Sequence, residues 1–344
     1  MATGSGLDAQ VGFAAETVVG TAVTPTKFVE FQKESLAWKP TFVEPTGLRA
    51  GRKFKRAGRL VQSRRTVEGS LEIEWPTRGI GLLVAHMLGS SAVPSQIAAT
   101  SAYKQIHVPG GFLGKSLTFQ VGRPEPSSGV VRPHTYSGCK IKSWEFKLAS
   151  DNVATLSLEI DGWDESTVTA LATATYPAGA ELFPFQAGTL KLGGIPATTG
   201  GELSVTDGVA VATVITELSI KGETPMATER YGIGQSGTKR EQLENDFPTI
   251  TGSLSAEFNR AELYDLMKNN TTFAFDFAMT GSPIPSGSGN NNFLSFIAPA
   301  CKLKEAAPSV EGPDLVKMTS AFEAYDNEID APLQIKIVSA DTAL

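Results

Sequence analysis

The sequence has few of the residues from which metal and redox sites are built. Its 344 residues include two cysteines and three histidines. His86, His107 and His134 show no ligand spacing with each other or with a cysteine. We therefore expect no metal, no cofactor and no redox chemistry.

Long apolar runs are also missing. No stretch approaches the roughly 20 apolar residues that a membrane-spanning helix needs, and the N-terminus lacks the charged and apolar regions of a signal peptide. We expect no membrane association and a protein made and kept in the cytosol until something releases it. The formal net charge of −6 argues against a general nucleic-acid-binding protein.

A catalytic constellation is not apparent either. The sequence shows no convincing triad, and no carboxylate pair whose surroundings would raise a pKa. Gly232, Gly234 and Gly237 fit a GxGxxG pattern, but this stretch neither follows an apolar strand nor opens a periodic helix. It is better interpreted as a flexible loop, and we expect no enzymatic activity.

What the sequence does have is internal similarity. Residues 66–75 (TVEGSLEIEW) match 249–258 (TITGSLSAEF) at a displacement of 183. Upstream, LAWK at 36–39 matches LSIK at 218–221 at a displacement of 182, and downstream CKIK at 139–142 matches CKLK at 301–304 at 162. Three collinear matches indicate an internal duplication.

The length and composition agree with two β-rich modules. The first would span 1–165 and the second 166–344, each long enough to bury its own core. With 41% hydrophobic residues, 34 glycines and 20 prolines, the chain is typical of short strands joined by many turns. Cys139 and Cys301 hold equivalent positions in separate modules, so we expect two buried free thiols.

The repeated segment alternates as a half-buried strand does. Leu71 and Ile73 share one face, whereas Glu72 and Glu74 lie on the other. A sheet with one buried and one wet face is usually antiparallel. Each copy continues into a short helical pattern and later into a hairpin, which runs through 140–163 in the first copy and turns at 312–314 in the second.

The two copies differ most in charge, in the segment before the repeated strand. Residues 48–65 contain eight basic and no acidic residues, whereas 223–248 contain three basic and five acidic residues. The segment could be a solvated loop, could dock on an acidic protein surface, or could contact nucleic acid. The basic residues are Arg49, Arg52, Lys53, Lys55, Arg56, Arg59, Arg64 and Arg65.

A family resemblance is carried by the order of several segments. GLDAQVGFAAETVVGTAVTPTKFVEF at 6–31 is followed by ESLAWKP, GLRAGRK, GSLEIEW and GIGLLVAHMLGS. This series resembles the tail tube proteins (major tail proteins) of long noncontractile-tailed, siphovirus-type bacteriophages, most strongly over residues 1–90. The resemblance implies a mainly β chain with two tandem β-sandwich or open-barrel modules, each with one flanking α-helix.

The resemblance also implies a function. The protein would polymerise as stacked rings into a tube that conducts the genome, with a tape measure and a terminator protein as further partners and double-stranded DNA passing without specific binding. It would be assembled in the host cytoplasm and end in the tail of the virion. An adhesin or carbohydrate-binding module, another non-tube virion protein, and a β-sandwich hydrolase are the alternatives.

Particular segments can be assigned to parts of such a tube. The N-terminal arm would be 1–24, and the loops 48–65 and 223–248 would reach the next ring, with the basic residues above as contacts between rings. Glu72, Glu74 and Glu257 would face the lumen, or else solvent or a neighbouring subunit. Because the chain has two modules, three copies could close a ring that single modules close with six; six chains per ring is the alternative.

Overall fold

The computed structural model describes residues 5–125, 128–211, 213–285, 288–310, 312–313 and 315–344, and these are mainly β-structure. The strands of the first half are β1 (Gln10–Ala15), β2 (Lys27–Val29), β3 (Lys33–Glu34), β4 (Ala37–Val43), β5 (Val61–Glu74), β6 (Ser95–Gln96), β7 (Tyr103–His107), β8 (Leu117–Glu125), β9 (Val130–Ala149), β10 (Thr155–Gly162) and β11 (Asp164–Ser166).

The strands of the second half follow a similar succession. They are β12 (Gly188–Leu192), β13 (Ile195–Thr199), β14 (Glu202–Thr206), β15 (Val209–Ala210), β16 (Ile215–Glu223), β17 (Met226–Ala227), β18 (Leu243–Glu244), β19 (Thr249–Glu257), β20 (Phe273–Pro283), β21 (Asn291–Ser309), β22 (Lys317–Ala324) and β23 (Gln334–Ser339).

Helical structure is short. The α-helices are α1 (Gly81–Met87) and α2 (Glu262–Lys268), each directly after the strand of the repeated segment, and 3-10 turns cover Gly6–Asp8, Ala57–Arg59 and Phe185–Ala187. In the described part of the chain, no helix is both long and apolar enough to cross a bilayer. The prediction of a mainly β chain with one helix after each repeated strand is confirmed.

One antiparallel sheet, here called the long sheet, runs through both halves. Its strand order is β4-β5-β10-β9-β16-β19-β22-β21, and β3 continues β4 against β5. The first four strands come from the first half of the chain and the last four from the second. We call each set of four a unit, so the long sheet consists of two units joined by the pairing of β9 with β16.

Further strands form a second layer over the apolar side of the long sheet. One part of this layer has the order β2-β1-β8-β9-β11, and the other has the order β15-β12-β20-β21-β23-β7-β6. In the second part, β7 and β6 come from the first half of the chain and the other strands from the second half. The strands β9 and β21 belong to both layers, because their first parts pair in this second layer and their last parts pair in the long sheet. The architecture is therefore a β-sandwich whose layers share two long strands.

The strand registers of the two units correspond closely. Glu74 lies opposite Thr155 in the first unit, and Glu257 lies opposite Lys317 in the second, as the displacements of 183 and 162 require. A bulge interrupts the pairing of β9 with β10 and, at the same place in the second unit, the pairing of β21 with β22. The residue without a partner in the register is Lys142 in the first unit and Lys304 in the second. The duplication stays a prediction, but the pairing repeats in detail.

The first strand of each unit is the exception. Lys39 lies opposite Thr66, whereas Lys221 lies opposite Thr251 rather than opposite Thr249. The segments LAWK and LSIK, which align in sequence, are therefore two residues out of step in the structure. The side-chain faces are preserved, because a shift of two residues keeps the alternation of a strand.

The alternation predicted for the repeated segment is confirmed by burial. Leu71 and Ile73 on β5 are fully buried, and Leu254 and Ala256 on β19 are buried in the same way. These residues point into the sandwich, so the carboxylates between them lie on the opposite, polar face. The sheet is antiparallel, as the one-sided pattern indicated.

The apolar interior does not divide between the halves. Most of the buried apolar residues form one large cluster that contains side chains from both, and Ala102, Ile284 and Val338 form a small separate cluster. At its centre the ring of Trp75 lies 5.6 Å from Phe146 and 5.8 Å from Phe296, and Phe146 lies 4.8 Å from Phe296 (centroid distances). Since Phe296 belongs to the second half, aromatic packing joins the two halves in addition to the strand pairing.

The two cysteines are both buried and free, as expected. Burial raises the pKa of Cys139 well above its ordinary value and raises that of Cys301 to about 12. Because the thiolate is the reactive form of cysteine, both side chains act as small apolar residues of the core.

The segment expected to be an N-terminal arm contains a strand that packs in its own chain. Residues 1–4 lie outside the described residues, but β1 lies between β2 and β8, with Val11 and Phe13 fully buried. Glu16 follows β1 and accepts hydrogen bonds from Ser116 and Thr118 (2.6 and 2.9 Å). Residues 10–16 therefore belong to the sandwich, and most of residues 17–24 are exposed.

Replacing Trp75 tests whether the two halves share one core. We expect Trp75→Ala to lower the free energy of unfolding by about 3–5 kcal/mol, because the indole is fully buried against rings from both halves. Hydrogen exchange during urea unfolding should show amides of both halves losing protection together. Phe54→Ala, at a ring that is 90% exposed, is the control and should leave stability unchanged. Earlier loss of protection in the first half alone would contradict a shared core.

Candidate assembly surfaces

The polar face of the long sheet carries many charged side chains. Along this face, the cross-strand pairs bring together side chains from all eight strands. The acidic members are Glu68, Glu72, Glu74, Glu145, Glu159, Asp161, Glu217, Glu223, Glu257, Glu305 and Glu323, and the basic members are Lys33, Lys39, Arg64, Lys140, Lys147, Lys221, Lys302 and Lys317. Lys142 and Lys304 lie at the two bulges beside these residues. The face therefore carries charges of both signs, with carboxylates in both units.

The three glutamates expected in a lumen lie on this face. Glu72 lies opposite Ser157, and Glu74 lies opposite Thr155 and accepts a hydrogen bond from Gln32 (3.1 Å). Glu257 holds the same place in the second unit as Glu74 does in the first, opposite a lysine rather than a threonine. Whether the face lines a channel stays a prediction.

The long sheet has an open edge at each end. In the described part of the chain, β4 pairs with β5 alone, and residues 305–309 of β21 pair with β22 alone. Open edges present unpaired backbone groups to any strand that approaches. These two edges are the places where the sheet of one chain could continue into another.

A proline protects the first of these edges. The amide of Ser35 donates to the carbonyl of Ser70 (2.9 Å), and Pro40 lies five residues further on in the same register, opposite Arg65. Hydrogen-bonded and non-hydrogen-bonded pairs alternate along an antiparallel ladder. Pro40 is thus in a non-hydrogen-bonded pair, and its nitrogen faces the open edge.

The second edge has the same feature. Pro308 lies opposite Met318 on β22. Two residues before Met318, the carbonyl of Val316 accepts a hydrogen bond from the amide of Phe258 (2.8 Å). Met318 therefore directs its backbone groups toward β19, and the nitrogen of Pro308 faces away from β22. Each edge lacks one outward N–H, which is a common protection of edge strands.

The connection between β4 and β5, residues 44–60, carries most of the predicted basic segment on an exposed surface. Leu48 and Phe54 are almost fully exposed as well. Lys55 forms an ion pair with Glu44 within the connection. The basic residues found here are Arg49, Arg52, Lys53, Lys55, Arg56 and Arg59.

The last two predicted contact residues lie elsewhere. The strand β5 begins at Val61, so Arg64 and Arg65 belong to a strand and not to the loop predicted over 48–65. Arg64 forms an ion pair with Glu229, and Arg65 forms one with Asp164 (2.5 and 2.7 Å). Both arginines therefore contact parts of their own chain.

The connection between β16 and β19, residues 224–248, folds back over the first unit. The Nζ atom of Lys239 lies 2.6 Å and 2.8 Å from the two carboxylate oxygens of Asp161 and 2.7 Å from the hydroxyl of Thr66. The side chains of Lys239 and Asp161 are 0% and 2% exposed. This buried ion pair fixes the connection to the end of β10.

Neighbouring polar groups complete the attachment. Gln242 donates to Asp161 (2.7 Å) and accepts from the indole nitrogen of Trp163 (3.1 Å). The ammonium of Lys140 donates to Glu241 and to the carbonyl of Gln242 (2.7 and 2.9 Å). Every one of these contacts joins the second connection to the first unit, so the buried charges have the partners they require.

Burial changes the ionisation of this cluster. Desolvation raises the pKa of Asp161, against the opposing effect of the Lys239 ammonium, and it lowers the pKa of Lys140, against the opposing effect of Glu241. Both shifts oppose the charged form, as burial does. Direct contact with Lys239 opposes the first shift, and direct contact with Glu241 opposes the second.

Sequence reasoning missed this cluster. Lys239 lies in a polar loop, and Asp161 lies near the end of a strand, on the face where polar residues are ordinary. The residues around each position do not indicate an ion pair, because this contact depends on how one unit lies beside the other. In the described part of the chain, no group of three or more histidine, cysteine and acidic residues could hold a metal ion.

The fold and these surfaces define a class of protein before any comparison is made, namely a two-layer antiparallel β protein with charged outer surfaces. A family model described as phage tail tube protein matches residues 6–331. The chain therefore belongs to the phage tail tube protein family, and it is a structural component of a phage tail. No curated protein matches the chain.

Removing the cation of the buried pair should release the second connection. We expect Lys239→Met to lower the free energy of unfolding by about 3–5 kcal/mol, because Asp161 then stays buried without a counterion. Trypsin should cut faster after Arg230 and Arg240, which are exposed. Urea unfolding and timed proteolysis measure the two effects, and Lys53→Met, at an exposed lysine, is the control. Unchanged proteolysis of Lys239→Met would contradict the proposed attachment.

Proposed function

We propose that the chain polymerises as stacked rings into the phage tail tube, with three copies in each ring, and that the tube is the channel for genome delivery. The observation that carries this proposal is the long sheet, in which two corresponding four-stranded units lie side by side with open edges at both ends. Three copies would supply six units, giving true threefold and approximate sixfold symmetry.

The joint inside the chain indicates how copies would meet. The strands β16 and β9 pair from Glu217 opposite Ala149 to Glu223 opposite Ser143. A joint of β4 from one copy with β21 from the next would repeat this arrangement and remove both open edges, as closure of a sheet does. A tape measure protein and a terminator would be further partners of such a tube.

Ring closure in this manner would place the polar face on one side of every copy. The apolar face of the long sheet is covered by the second layer, so the polar face is free to line the lumen. Carboxylates there would repel the phosphate backbone, and passing double-stranded DNA would not adhere. We place Glu72, Glu74 and Glu257 in the lumen on this basis.

Electron microscopy of the purified chain tests the assembly. We expect tubes by negative stain and an averaged cross-section that counts three chains in each ring. A count of six chains per ring, with one unit of each chain outside the wall, would overturn the proposed trimer but not the proposed tube. A particle that remains a monomer under all assembly conditions, with the tail tip and tape measure present, would overturn the tube.

Charge reversal on the polar face tests the lumen. In phages that carry Glu72→Lys with Glu74→Lys, tubes should assemble normally and DNA ejection should slow, because cations in a lumen attract phosphate. Glu72→Gln with Glu74→Gln should have a smaller effect. Asp151→Lys, in the turn between β9 and β10, is the control. Ejection at the unaltered rate in the double lysine variant would place these side chains elsewhere.

A further inference from the structure

The second connection covers one end of the first unit. The corresponding end of the second unit, here called the uncovered end, is more open, because the side chain of Glu323 is 17% exposed and that of Asp161 is 2% exposed. At the displacement of 162, Asp161 corresponds to Glu323 and Trp163 corresponds to Tyr325. The register supports this equivalence, because Asp161 lies opposite Lys140 and Glu323 lies opposite Lys302. The covered end and the uncovered end are therefore the same place in two corresponding units.

The uncovered end is acidic and partly apolar. Tyr325 is 39% exposed and Ile329 is 87% exposed. Glu323 forms an ion pair with Lys304 and accepts a hydrogen bond from the hydroxyl of Tyr325 (3.1 Å). Exposed carboxylates follow at 326 and 328. Exposed apolar side chains beside carboxylates are suited to a partner that carries both cations and apolar groups.

The first connection, residues 44–60, has that composition. It presents six basic residues together with Leu48 and Phe54, which are 101% and 90% exposed. A specific correspondence also exists. Lys239, which binds Asp161, lies ten residues before the first residue of β19, Thr249, and Arg56 lies ten residues before Thr66, its counterpart on β5.

We propose that Arg56 of one copy binds Glu323 of the neighbouring copy in the same ring, as Lys239 binds Asp161 within the chain. The first connection then covers Tyr325 of that neighbour as the second connection covers Trp163. The inference rests on the proposed function, because it requires rings of this chain. It places the basic connection at the joint within a ring, whereas the sequence suggested contacts between rings.

The geometry of the chain supports a partner in the same ring. The strand β16 enters the long sheet beside β9, and the connection that follows β16 reaches Asp161. If β4 of a second copy enters beside β21 in the same manner, the connection that follows β4 reaches Glu323. An arginine suits this place, because its planar guanidinium binds a carboxylate through two hydrogen bonds.

The test is a charge exchange across the joint. Arg56→Glu and Glu323→Arg should each raise the chain concentration needed for tube growth about tenfold or more, because each leaves like charges facing at the joint. The double variant should form tubes at nearly the same chain concentration as the unaltered chain. Arg49→Glu is the matched control, because it makes the same charge change in the same connection but corresponds to Gly232, which is exposed.

Each outcome bears on the proposal. Single variants that grow like Arg49→Glu, or a double variant that grows no better than the singles, would overturn the pair while tubes of the unaltered chain still support the proposed function. Absence of tubes from the unaltered chain would overturn both. Thermal unfolding of each variant before assembly separates misfolding from failure to join.

Cross-linking distinguishes a neighbour in the ring from a neighbour above it. In oxidised tubes of a variant with Arg56→Cys and Glu323→Cys, disulfides within rings should yield covalent closed rings of fixed size on a non-reducing gel. Disulfides between stacked rings would yield a ladder that grows with tube length, and this result would overturn the proposal. Cys139 and Cys301 are buried, so they do not compete.

Discussion

The antiparallel pairing of β16 with β9 is the interaction on which the rest of the structure depends. It makes one long sheet from two four-stranded units and sets their relative position. The shared aromatic core follows from it, because Trp75 and Phe296 meet only when the halves lie side by side. So does the attachment of residues 224–248, which places Lys239 on Asp161.

Much of the fold could be predicted from the sequence, because the strand alternation and the repeats are local features. The faces of β5 and β19, the helix after each, and the two buried thiols agree with the prediction, since burial on one side of a sheet leaves a period of two. The hairpin β9–β10 and its counterpart β21–β22 were also predicted, although Asp314, named with the second turn, lies outside the described residues.

The remaining features depend on contacts between distant segments. Arg64 and Arg65 look like loop cations in the sequence, but strand pairing and the second connection place them on β5. The single core could not be foreseen from two modules of ordinary length, because nothing local to Phe146 or Phe296 indicates a partner in the other half. The ion pair beneath the second connection was missed for the same reason.

In the proposed ring, the prolines at the two edges of the long sheet would limit how firmly neighbouring copies hold one another. Proline has no N–H to donate, so a strand added at Pro40 or Pro308 forms an incomplete ladder, whereas the ladder between β16 and β9 contains no proline. Each missing hydrogen bond costs about 0.5–1.5 kcal/mol. In the proposed ring, each joint between copies would therefore be weaker than the joint inside the chain, and a copy added out of register would detach without unfolding.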